Sequence, residues 1–206
     1  MQRVIDYYNK FEGETSRQKI TSAGCYRPTS IYNVVELFRR IEGGFDLSSC
    51  NTLVDAGGGD GRVAVVASLY GVRAISIESD KQTHKLAEER VGFLRNSGVF
   101  RTMHEQKNPL LILGDFLDTR TYQRSGINLA DITHMFNAGD NERRVARFMN
   151  EYIRHSTYLI LAQSNGELIE NKLRRLITYK GADNRSIGQV YRTKYKLERQ
   201  LPKCIV

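Results

Sequence analysis

Apolar residues recur along this chain with two periods. Ile31, Val34, Val35, Leu37, Phe38 and Ile41 fall at the spacing of one helix face. Thr29 or Ser30 can cap that helix, and Gly43-Gly44 can end it. From there, short apolar runs of the buried-strand kind alternate with helical patterns. "TLVDA" (52–56) reads as a strand, "GRVAVVASLYG" (61–71) as a helix closed by Gly71, and "VRAISIE" (72–78) as a second strand. Ser79 or Asp80 then caps a long helix with His84, Ala87, Val91 and Leu94 on one stripe, stopped at Gly98. "PLLILGD" (109–115) makes a third strand and "ADITHMFN" (130–137) a fourth. "NERRVARFMNEYIRH" (141–155) reads as a helix and "STYLILAQ" (156–163) as a fifth strand.

Strands separated by helices require right-handed crossovers and a mostly parallel sheet covered on both faces. The pattern predicts an α/β, Rossmann-like doubly wound domain over residues 25–206. Residues 1–24 are polar and mixed, an N-terminal extension with one short helix around Val4 to Lys10. The tail "QVYRTKYKLERQL" (189–201) alternates with period two. Val190, Arg192, Lys194 and Lys196 fall on one face, Tyr191, Thr193, Tyr195 and Leu197 on the other. It reads as a half-exposed edge strand whose lysines deter edge pairing.

Between the first strand and its helix lies "VDAGGGDGR" (54–62), with an acid before the glycines and another among them. In doubly wound sheets, ligands bind beyond the carboxyl ends of the strands, near this position. A phosphate-binding loop needs Lys and Ser or Thr after its last glycine, where Arg62 and Val63 stand. The dinucleotide spacing GxGxxG, begun at Gly57 or Gly58, needs glycine at Arg62 or Asp60. What stands is Asp55-x-Gly57-x-Gly59-x-Gly61. A pyrophosphate would be repelled by Asp55 and Asp60, whereas a cationic ligand would be attracted. Glu78 closes the second strand 21 positions after Gly57, where a carboxylate can accept both ribose hydroxyls.

The turn resembles the first motif of the class I, seven-strand methyltransferases that use S-adenosylmethionine (SAM). That resemblance implies a seven-stranded sheet and a ligand with a sulfonium and an ammonium but no phosphate. Asp55, Gly57, Gly59, Asp60, Gly61 and Glu78 would bind it. It also implies that Asp115, after the third strand, faces the adenine amino group and that Phe116 lines the ring.

Upstream, "CYRPTSIYNVVELF" (25–38) is similar to the loop and helix before the SAM site in two groups of non-SET protein-lysine methyltransferases. One is the archaeal and mitochondrial type with Tyr-x-Pro-Thr; the other is the disruptor-of-telomeric-silencing family. "LGDFL" (113–117), then a strand, then Asn137 resembles the latter family's core. These likenesses imply that Tyr26 and Thr29 fold over the cofactor and that Asn137 sits beside the transferred methyl. Tyr26 and Asn137 would then be the catalytic pair. On residue type alone, Tyr26 could equally be an aromatic anchor, Thr29 a helix cap and Asn137 a strand-end turn residue. The histone-methylating family follows its asparagine with aromatics; here Ala138, Gly139 and Asp140 follow.

Composition narrows the partner. Net charge is +8, and from Glu167 to the end ten Lys/Arg face four Asp/Glu. That segment suits a nucleic acid or acidic face as well as a solvated surface. The chain lacks a [DNS]PP[YFW] tetrad and a Pro-Cys nucleophile, which disfavours adenine amino and cytosine C5 methylation. Transfer to a protein lysine is the leading expectation, with RNA, DNA or a small molecule as alternatives. Cys25, Cys50 and Cys204 form no CxxC pair and the four histidines no HxxxH, so no metal is expected. No apolar run approaches the roughly 20 residues that span a bilayer. With no apolar leader either, a cytoplasmic location is expected.

Overall fold

The structure, a computed structural model, describes residues 1–15, 19–21, 24–26, 28–44, 50–100, 108–118, 120–121, 124, 131–136, 158–162, 173–180 and 186–193. Helix α1 (Gln2–Thr15) opens the chain, followed by a two-stranded antiparallel pair, β1 (Lys19–Thr21) and β2 (Gly24–Tyr26). Helix α2 (Ile31–Gly44) leads into the main sheet. Its elements are β3 (Thr52–Ala56), α3 (Arg62–Leu69), β4 (Arg73–Glu78), α4 (Lys81–Asn96), β5 (Leu110–Leu113), β6 (Ile132–Phe136), β7 (Tyr158–Ala162), β8 (Leu173–Lys180) and β9 (Ser186–Thr193). Seven strands lie in the order β5-β4-β3-β6-β7-β9-β8. The first five are mutually parallel, and β9 pairs antiparallel with both β7 and β8. The chain leaves β3 in one direction for β4 and β5, then returns to β6 on the other side. That reversal makes the β3/β6 boundary the switch point of the sheet.

The core is continuous across the layers. Ile31, Val34, Leu37, Phe38 and Ile41 of α2 pack in one cluster with α3 and Leu53, and Val35, the sixth residue of the predicted stripe, is half-buried against it. Helix α1 joins them: Val4 and Tyr8 are fully buried in that cluster, beside Ile5. The extension thus supplies a helix of 14 residues, longer than the sequence pattern suggested, and its apolar face is part of the domain core.

Two helix caps show how local chemistry sets the boundaries. Asp80 caps α4, its Oδ1 accepting from the Thr83 amide at 2.8 Å. At α2 the amide of Ile31 instead donates to Glu12 Oε1 of α1 at 2.5 Å. A carboxylate from another helix therefore satisfies an N-terminal donor there.

The C-terminal strands depart from expectation. The tail strand is β9, and it lies inside the sheet; the edge belongs to β8, which the pattern left unassigned. The reason is a bulge. Arg175 pairs with Tyr191 and Ile177 with Val190, so Leu176 is extra and the two-residue alternation of "LRRLITYK" is broken. Residues 194–201 of the tail and the expected helix over 141–155 lie outside the described residues. Among the described residues, no helix is long and apolar enough to cross a membrane.

Candidate functional site

The glycine turn follows β3 at the switch point, and backbone bonds fasten it to β4. The amides of Gly57 and Gly58 both donate to the Ile77 carbonyl, at 3.0 and 2.9 Å. Gly61 donates to the Gly58 carbonyl at 3.0 Å, closing the turn. Gly57, Gly59 and Gly61, the three glycines of the motif, hold φ of +80°, +56° and +80°, which side-chain-bearing residues rarely adopt. Gly58, the variable position between them, is glycine for another reason. A Cβ there would lie 1.8 Å from Ser76 Oγ of the neighbouring strand.

Glu78 completes the turn from the end of β4. Its Oε2 accepts from the Gly59 amide at 2.9 Å and its Oε1 from the Asp80 amide at 2.8 Å. Its carbonyl accepts from Gly114, just past β5, at 2.9 Å, so three strand ends converge on one residue. Burial pushes the Glu78 carboxyl above the usual range, against the pull of the Asp80, Gly59 and Ser79 amides. A carboxylate offers about four acceptor positions, more than these amides fill, so capacity remains for a hydroxyl donor.

Asp115 follows β5 and is exposed, its Oδ1 accepting from the Leu117 amide at 2.9 Å; Phe116 is half-buried. Both stand beyond the carboxyl end of the strand beside Glu78, as a ligand lying across β3, β4 and β5 would require.

The other two acids of the motif face inward. Asp60 is 1% exposed and bonded to Arg62 through Nε and Nη2, at 2.9 and 2.8 Å, and to Arg90 Nη1. Burial alone would raise its carboxyl; the Arg62 and Arg90 guanidiniums outweigh that and hold it below the ordinary range. The Asp60 side chain, expected to complement a cationic ligand, has its charge matched by these two guanidiniums. The same node reaches other elements. Arg62 Nη1 donates to the Thr29 carbonyl at 2.5 Å, the Tyr8 hydroxyl donates to the Asp60 carbonyl at 3.3 Å, and Arg90 lies 4.3 Å over the Phe11 ring. Helix α1 and Thr29, two residues ahead of α2, thereby brace the turn.

Asp55 is 2% exposed and its Oδ1 lies 2.7 Å from His134 Nδ1, on the strand paired beside it. Sequence reading missed Tyr8, Glu12, Arg62, Arg90 and His134. His134 alone left a trace: like Asp55, it is the one ionisable residue of its strand.

Among the remaining candidates, Thr29 is buried, and its carbonyl, through Arg62, ties it to the turn. The backbone of Tyr26 closes β2, where it pairs with Lys19, but its side chain lies outside the described residues. Asn137 also lies outside them, immediately after β6.

No protein-family model matches the chain, and no curated protein matches its sequence. Solved structures match its fold. A mutant of MtNAS in complex with S-adenosylmethionine aligns with a TM-score of 0.61 at 16% identity, over 93% of this chain and 69% of that one. MtNAS in complex with MTA and tNA aligns with a TM-score of 0.60 at 16% identity, over 93% and 67%. A SAM-dependent methyltransferase from Neisseria gonorrhoeae gives 0.51 at 13% identity, over 79% and 72%. Sheet order, strand directions and these likenesses agree that the chain has the doubly wound, seven-stranded fold of the class I methyltransferases.

Proposed function

We propose that this protein is a SAM-dependent methyltransferase. The observation that carries this reading is the Glu78 carboxylate, held by two backbone amides at the strand end beside a glycine turn of left-handed φ. That arrangement supports a ribose diol at Glu78, with the sulfonium and methyl directed towards the end of β6. The neighbours crystallised with SAM or MTA favour the same ligand. Methyl transfer is an in-line displacement: the acceptor lone pair attacks the methyl carbon as the sulfur leaves, neutralising the sulfonium. The protein's task is alignment and exclusion of water. Asn137 would hold a neutral acceptor amine through its amide oxygen, and Tyr26 and Thr29 would cover the cofactor.

The acceptor we assign first is a protein lysine, on the Tyr26-Arg27-Pro28-Thr29 segment and Asn137. Calorimetry with S-adenosylhomocysteine tests the cofactor, and binding is expected; no heat at millimolar concentration overturns the reading. A lysate supplied with radioactive methyl donor tests the acceptor: label in protein supports lysine, and its absence removes it. Asn137→Ala should lower turnover and leave cofactor affinity nearly intact.

A nucleic acid is the second reading, favoured by Arg174, Arg175 and Lys180 of β8 and Arg192 of β9. Its mark would be affinity for RNA or DNA that falls steeply between about 50 and 200 mM salt.

A further inference from the structure

One buried polar pair links the two strands that flank the switch point. Asp55 and His134 are partners in register on β3 and β6, both within two residues of the strand ends. They are 2% and 3% exposed. A carboxylate only accepts, so His134 Nδ1 carries the hydrogen that meets Asp55 Oδ1 at 2.7 Å. Asp55 Oδ2 is buried and meets no hydrogen-bond partner among the described residues. A buried carboxylate oxygen without a donor is costly, and its persistence calls for an explanation.

The surroundings supply one. Two residues on, Gly57 begins the turn, and apart from its own chain neighbours no described residue comes within 4 Å of the place a Cβ would occupy there. Open space thus adjoins the strand end that carries the acid. Asp60 is neutralised by its arginines, which leaves Asp55 as the acid of the motif able to meet a cation.

We propose that His134 is a positioning residue for the amino-acid end of the cofactor. By holding Oδ1 it fixes the Asp55 carboxylate so that Oδ2 accepts from the ligand's ammonium. The inference rests on the SAM reading and deepens it: His134 touches no ligand and acts through Asp55. It also couples the cofactor strand β3 to β6, the strand that leads to Asn137.

Two ligands separate this role from a merely structural one. S-adenosylhomocysteine carries the ammonium; methylthioadenosine keeps the adenosine and thioether but lacks the amino-acid end. With the full chain in a calorimeter, His134→Leu should weaken S-adenosylhomocysteine about tenfold, the scale of one displaced charged hydrogen bond. It should leave methylthioadenosine within about twofold, well inside that scale. His134→Asn, whose amide nitrogen can donate to Oδ1 much as Nδ1 does, should restore most of the loss. Asp55→Asn keeps an acceptor for His134 but removes the charge, and should repeat the selective loss even if the leucine variant fails to fold. Equal weakening of both ligands without rescue by asparagine, or no weakening at all, overturns the role of His134. Wild-type protein that binds neither ligand removes the SAM reading instead.

Discussion

Two carboxylates touch the same glycine turn and do opposite things. Asp60 is enclosed by the Arg62 and Arg90 guanidiniums under helix α1, and its carboxyl is held below the usual range. Glu78 takes its hydrogen bonds from backbone amides, and burial pushes its carboxyl up. A guanidinium matches a carboxylate in charge and geometry and leaves little for a ligand. An amide matches it in hydrogen bonding alone, so the charge persists, together with acceptor capacity that the amides leave unfilled. Proximity to a glycine turn therefore does not mark an acid as functional. Its partners do.

The largest effect expected from this contrast is at Asp60. Asp60→Ala leaves two buried guanidiniums without their shared anion and should lower stability by about 3–5 kcal/mol, read as the midpoint of denaturant unfolding. An unchanged midpoint with lost SAM affinity would reverse the assignment and make Asp60 the ligand's acid.

Glu78→Ala should do the converse. Affinity for SAM should fall by about 1–3 kcal/mol, the range for hydrogen bonds to a charged group, as measured by calorimetry. The unfolding midpoint should move far less than in Asp60→Ala. If both variants lose stability alike, the two acids are not distinct in kind.

How legible this contrast is from sequence depends on how far apart the partners stand. The strand, turn and Glu78 are readable because the signals are local: an apolar run, glycines at alternate positions, an acid at the next strand's end. The Asp80 cap is readable for the same reason. Arg62 stands two residues from Asp60, yet nothing in "DGR" says that Arg90 and Tyr8 will close round the pair. Glu12 reaches the amide of Ile31 only because α1 packs beside α2. The Asp55–His134 pair needs the β3/β6 register, which no local pattern carries. β8 escaped because a bulge at Leu176 erased its alternation. Local order is visible and tertiary pairing is not, so the turn is legible in the sequence while the partners that separate its acids are not.

Titration sharpens the comparison, because the two carboxyls shift in opposite directions. Asp60, lowered on folding, adds stability that is full above its unfolded value and is lost as pH falls through the folded one. Glu78, raised on folding, favours the native state at low pH, and that contribution is lost as pH rises through its folded value. Ligand affinity should follow Glu78 with the other sign. A ribose diol donates to the ionised carboxylate, so SAM binding should weaken on acidification, starting above the ordinary carboxylate range. In Glu78→Ala, calorimetry across the same window should show that dependence gone. A wild-type pH profile no steeper than the variant's would detach the diol from Glu78.

The smallest effect belongs to the aromatic floor of the Asp60 node. Tyr8 is fully buried, its hydroxyl donates to the Asp60 carbonyl at 3.3 Å, and the Arg62 guanidinium lies 5.2 Å over its ring. Tyr8→Phe removes one hydrogen bond and keeps the ring, so stability should drop by about 0.5–1.5 kcal/mol. Tyr8→Leu removes the ring face as well and should cost more, since a desolvated cation over an aromatic contributes up to about 2 kcal/mol. Denaturant unfolding ranks the two, and SAM calorimetry on each should stay near the wild-type value if the node only braces the turn. A loss of SAM affinity in Tyr8→Phe that matches Glu78→Ala would mean that α1 shapes the ligand side of the turn as well as its base. The division between a structural and a ligand-facing acid would then fail at its most delicate point.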